Sequence, residues 1–135
     1  MWVFAAAYVA AVVLFAAIDM AWLTTMGAAL YRSTLGDILL PTVHIPPAIA
    51  FYLLFPLGIV VFAVMPGLRA GSAQTALLYG ALFGLFTYAT YDLTNFATLR
   101  NWTVKITLID IAYGTVAVAV VSVLVYLLAR WLEQH

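Results

Sequence analysis

The chain has 135 residues, of which 67% are hydrophobic and 7% charged, and its five basic and five acidic side chains cancel. Soluble domains carry about 25% charged residues, so this chain has too little polar surface to face water on all sides and its solvent is mostly lipid. No basic excess points to nucleic acid as a partner, and a cysteine count of zero excludes disulfides, thiolate metal sites and a cysteine nucleophile.

A membrane helix needs about 20 apolar residues, and four segments supply them. The first covers residues 2–22, with a helical pattern that continues to Leu30. It lacks a basic leading region and outlasts the apolar core of a signal peptide, so it reads as a first span. The polar run Tyr31-Arg32-Ser33-Thr34-Leu35-Gly36-Asp37, closing on Pro41, separates it from a second span at 46–64. Pro46 and Pro47 suit a first helical turn, where no intrahelical N–H partner is needed. Pro56 lies inside this span and predicts a kink. Pro66 and Gly67 are expected to end it, with a short turn from Arg69 to Ser72.

The third span, 73–96, carries a GxxxG step at Gly80 and Gly84, the kind of small surface that lets helices approach closely in lipid. Packing within the bundle and pairing with a second copy both remain open for it. The fourth span, 104–128, has similar small surfaces at Ala112, Gly114, Ala117 and Ala119. The expected fold is therefore all-α, a single polytopic transmembrane bundle of four helices over residues 1–135.

Tryptophan prefers the membrane boundary, because its ring is apolar and its N–H wants a polar partner. Four spans put Trp2 and Trp131 on one side and Trp22 and Trp102 on the other. The step from Trp2 to Trp22 is roughly 30 Å of helix, one hydrocarbon thickness. Orientation is weakly marked. Arg32, Arg100 and Lys105 stand against Arg69 and Arg130, a balance that also permits a dimer inserted both ways.

The same four-span topology gathers the polar residues. Asp19, His44, Asp92, Asn95 and Asp110 all fall toward one side, with Tyr91, Arg32, Arg100 and Lys105. An acid in mid-helix costs about 3 kcal/mol in lipid, and Asp110, about 12 Å beyond Trp102, is the most expensive. The candidate ligand-binding residues are Asp19, His44, Tyr91, Asp92, Asn95, Arg100 and Asp110. A structural alternative pairs Asp92 with Arg100, or Asp110 with Lys105, to fix helix register. No metal motif of fixed spacing is present, and no metal is assigned. Asn101-Trp102-Thr103 fits a glycosylation sequon, crowded against the membrane. Ile18-Asp19-Met20-Ala21-Trp22-Leu23-Thr24 faintly echoes Ile109-Asp110-Ile111-Ala112-Tyr113-Gly114-Thr115 in an oppositely directed span, as inverted repeats of transporters do.

Tyr91-Asp92-Leu93-Thr94-Asn95, then Ala97-Thr98-Leu99 and Trp102, resembles the signature of the bacterial domain-of-unknown-function 2177 family. Asp19 with Trp22, Tyr31-Arg32, Leu35-Gly36, Pro47-Ala48, Phe51-Tyr52, the run from Gly80 to Gly84, and Asp110 with Gly114 carry the likeness over nearly the whole chain. The chain departs from that pattern at His44, where asparagine is expected, and at Tyr113, where tryptophan is expected. The resemblance implies a small protein of the bacterial inner membrane and no established activity or cofactor.

Three functions are compatible with these residues. The first is binding or transport of a small amphipathic or cationic molecule in the polar pocket. The second is a membrane-embedded enzyme acting on lipid or isoprenoid chains, with the acids as general acid and base. The third is an accessory subunit whose polar stretch meets a partner's helices.

Overall fold

The computed structural model describes residues 1–36 and 38–135; Asp37, part of the expected polar run, lies outside the described residues. These residues form four helices and no strand, which agrees with the all-α expectation. We label them α1 (Trp2–Leu35), α2 (Ile45–Ala70), α3 (Ala73–Thr98) and α4 (Val104–Gln134). α4 is central: α3 packs along its length, and α1 and α2 also contact it. Helices α1, α2 and α4 are each long and apolar enough to cross a membrane.

The core follows a four-residue step, the spacing that keeps side chains on one helical face. Ala7, Ala11 and Phe15 of α1 are buried against Ile59, Val60 and Val64 of α2 and against Val118, Val121, Val125 and Ala129 of α4. On α3 the buried stripe is Ala76, Gly80 and Gly84. The two glycines seat against α4 within the chain. A Cβ on Gly80 would lie 2.4 Å from Ser122 Oγ, and one on Gly84 would lie 2.4 Å from the Gly114 carbonyl oxygen. The GxxxG surface is thus used inside the bundle. Of the small residues expected on the last span, Gly114, Ala117 and Ala119 are buried and Ala112 is exposed.

Helix α3 is the most polar of the four, with Gln74, five threonines, Asp92 and Asn95. Its hydroxyls are largely self-satisfied. Thr87, Thr90, Thr94 and Thr98 each donate to the carbonyl four residues earlier, so these groups need no outside partner. Ser72 and Thr103 cap α3 and α4, accepting from the backbone N–H of Thr75 and Ile106. Gly71, at φ 63°, makes the left-handed turn between α2 and α3 that glycine adopts without steric cost.

Two helix ends differ from expectation. α1 runs to Leu35 rather than stopping at Leu30, through widened turns at Gly27–Arg32. The extension is held by packing: Leu30 and Leu35 bury against Trp102 and Ile106. α2 continues through Pro66 and Gly67 to Ala70. The widened turn at Val60–Val64 immediately precedes Pro66, and such a turn relaxes the strict four-residue bonding that a proline interrupts. Gly67 is retained because α3 comes close; a Cβ there would meet Ala76 Cβ at 2.8 Å.

Candidate functional site at the acidic end of the bundle

Each core stripe leads to a polar residue at the same end of the bundle. Ala7, Ala11 and Phe15 continue to Asp19; Ala76, Gly80 and Gly84 continue to Tyr88 and Asp92; Val118 and Gly114 lead back to Asp110. The four-residue step therefore turns these acids inward. Asp19 is 7% exposed, Asp92 0% and Asp110 6%.

Two of the three carboxylates are held by phenols. Asp19 accepts from Tyr113 at 2.8 Å through one oxygen and from Tyr52 through the other. Asp110 accepts from Tyr31, whose oxygen in turn accepts from Trp22 Nε1 at 2.9 Å. This contact is the work of the α1 extension, which returns Tyr31 toward the start of α4. The expected pairing of Asp110 with Lys105 is replaced by the Tyr31 bond, and Lys105 is exposed.

Asp92 is different. Among the described residues neither of its carboxylate oxygens has a hydrogen-bond partner, and the expected pair with Arg100 does not form. The Asp110 carboxyl is a neighbour. An orphaned buried carboxyl costs about 1–3 kcal/mol or more, so Asp92 calls for a proton, a donor or a cation.

The echo between the first and last spans has a spatial counterpart. Asp19 bonds Tyr113, three residues after Asp110. Trp22, three residues after Asp19, reaches Asp110 through Tyr31. Trp22 and Tyr113 stack on each other, ring centroids 4.2 Å apart. Each acid is thus served by the aromatic that follows the other, as antiparallel helices require.

These groups line a cavity of about 700 Å³. Asp19, Asp110, Trp22, Tyr31, Tyr88, Tyr91 and Tyr113 face it, Phe51 and Phe55 close its α2 side, and Arg32 stands exposed on its rim. Its volume is that of a small-molecule site. Of the candidate residues, Asp19, Tyr91 and Asp110 line it. Asp92 and Asn95 are outside the lining, Asp92 next to Asp110 and Asn95 next to Tyr91. His44 and Arg100 are exposed and lie outside the lining. Among the described residues no group of three or more histidine or acidic side chains converges in a way that could hold a metal ion.

Reading single residues by charge passes over the phenols. Tyr31, Tyr52 and Tyr113 hold the acids, yet none carries a charge, and Tyr31 and Tyr52 entered only as positions of the family pattern. Tyr52 and Tyr113 carry a signal in depth, since both fall toward the acids' end of their spans; Tyr31 carries none, because it reaches Asp110 only through the α1 extension. Trp22 and Trp102 were expected at the lipid boundary. Both line the cavity, and Trp102 is buried with its Nε1 donating to Thr107 Oγ1 at 3.1 Å.

A family model described as "Predicted membrane protein (DUF2177)" matches residues 4–127. No curated protein and no solved structure matches the chain.

Proposed function

The chain belongs to the domain-of-unknown-function 2177 family of membrane proteins, and on that premise we propose that its cavity binds or transports a small amphipathic or cationic molecule. In this reading the protein crosses the bacterial inner membrane four times. The 26-residue α3 is about 39 Å long, enough for a hydrocarbon core of about 30 Å. Its self-bonded threonines and its packing along α4 support a crossing beside the three more apolar helices.

One observation carries the proposal. Two nearly buried carboxylates, Asp19 and Asp110, face a cavity in which their bonded partners are neutral phenols. Phenols orient a carboxylate and leave its charge uncompensated in surroundings where charge is costly. A cation in the cavity supplies the missing charge. The aromatic rings in the lining, Trp22, Tyr88 and Tyr113 among them, add electron-rich surface of the kind that attracts cations. The apolar remainder of the lining suits the hydrocarbon part of an amphipathic guest.

Trp22 is a built-in reporter. Protein reconstituted in phosphatidylcholine vesicles and titrated with short alkylammonium ions should show a saturable change in tryptophan emission. Asp19→Asn with Asp110→Asn should abolish that change while helical circular dichroism is retained. An unsaturable response, or the same response in the double variant, removes the cation-binding reading. A transport role adds that vesicles loaded with the cation release it, and that Asp110→Asn stops the release.

A further inference from the structure

The cavity adjoins a second, apolar hollow. Phe51 and Phe55 line both the cavity and an apolar groove of about 400 Å³ between α2 and α3. Phe62 and Phe83 line that groove and also a further hollow of about 270 Å³ beside α3. From Phe51 to Phe62 the track follows α2 for about 16 Å, half of a hydrocarbon thickness of about 30 Å. It lies on the outside of the bundle: Leu54 is 70% exposed and Phe62 59%. Gly58 makes room for its far wall, since a Cβ there would stand 2.8 Å from Phe83 Cζ.

We infer that the ligand is a lipid, a long-chain amine with its ammonium group between Asp19 and Asp110 and its hydrocarbon chain passing Phe51 and Phe55 into the α2–α3 groove. This rests on the cation-binding reading of the cavity. The charge of the head follows from the two carboxylates, whose hydrogen-bond donors among the described residues are phenols. The tail follows from adjacency: the cavity and a groove lined wholly by apolar side chains and glycine share Phe51 and Phe55 as a common wall, over whose rings a chain passes from one to the other. Such a ligand enters sideways from the bilayer, its chain never leaving hydrocarbon, and only its head exchanges lipid headgroups for the acids.

The probe is hexadecylamine carrying a photoreactive diazirine at mid-chain, in phosphatidylcholine vesicles with the full-length protein, compared with hexadecanol labelled in the same place. The amine should label Leu54, Val61 and Phe62, saturably, and unlabelled hexadecylamine should compete the label away. Asp19→Asn with Asp110→Asn should reduce groove labelling about tenfold or more, the loss expected from one charge contact worth about 1.4 kcal/mol. Val61→Phe, at an exposed position that fills the groove without entering the core, should remove groove labelling while tryptophan emission still responds to a short amine. If Trp22 responds but label spreads evenly over the outer faces of α1 and α4, the lipid inference falls and the cavity reading stands. If the alcohol labels the groove as saturably as the amine, the ammonium assignment falls. If neither Trp22 nor the groove responds to any amine, the cavity reading itself falls.

Discussion

The two ends of this bundle are made by the same helices with the same four-residue spacing, and they differ in what occupies it. At one end the positions hold Ala7, Ala11, Gly67, Ala76, Gly80 and Ala129, and the backbones close to van der Waals contact around Val121 and Val125. At the other they hold Asp19, Tyr52, Tyr88, Asp92 and Asp110, and the helices stand apart around a cavity of about 700 Å³. A bundle with small residues throughout would have no site, and one with acids and phenols throughout would have no core. The closed end fixes the helix positions; the open end uses that rigidity to hold side chains in place.

The contrast breaks most severely where the two ends meet. A Cβ at Gly84 would lie 2.4 Å from the Gly114 carbonyl oxygen, and backbone cannot swing aside as a side chain can. Gly84→Ala should therefore force α3 from α4 and cost about 3 kcal/mol, the upper range for overpacking. Denaturant unfolding in mixed micelles measures it. A cost below about 0.5 kcal/mol would mean that the helices are not in close contact there.

That junction also shows how far the residues alone carry the reading. The all-α fold, the glycine step and the gathering of acids at one end follow from apolar run lengths and helical spacing, which are local properties of the chain. The extension of α1 to Leu35 and the passage of α2 through Pro66 do not. Both depend on contacts from distant segments: Trp102 and Ile106 bury Leu30 and Leu35, and a widened turn precedes the proline. The inward turn of Asp19 was present as the step from Ala7 through Ala11 and Phe15, but its partners Tyr52 and Tyr113 lie on other helices. His44 and Arg100 attract notice by charge alone, and the fold leaves both exposed.

At the open end, Asp92 gives the next largest effect. It is fully buried, and among the described residues its carboxyl has no hydrogen-bond partner. Asp92→Asn keeps the shape and supplies an amide that can donate to the neighbouring Asp110 carboxylate. The variant should be more stable by about 2 kcal/mol, within the cost of an unsatisfied buried group. A loss of stability in the same unfolding experiment would show that Asp92 already has a partner.

Tyr113→Phe is gentler. It deletes the 2.8 Å bond to Asp19 and keeps the ring stacked on Trp22, so a cost of about 1 kcal/mol reports the hydroxyl alone. Tyr52→Phe should cost about the same. The two together should cost more than their sum, since the second change leaves Asp19 with no donor at all. Strict additivity in a double-mutant cycle would mean that the two phenols do not share the carboxylate.

The smallest effect should have the opposite sign, and it turns the comparison on a single residue type. Gly27 lies in a widened turn of α1 beside the cavity, and nothing would lie within 4 Å of a Cβ placed there. Its neighbour on the C-terminal side, Ala28, already occupies the same kind of helical turn. Alanine is the better helix former by about 0.8–1.0 kcal/mol, and no contact opposes it. Gly27→Ala should therefore stabilise the protein by about 0.5–1 kcal/mol, where the same exchange at Gly84 is costly. It should leave the Trp22 response to amines in place, because the added methyl group fills little of the cavity. A cost at Gly27 instead would mean that the α1 extension packs more tightly over the acids than this open space implies, and that the two ends are less different than their glycines suggest.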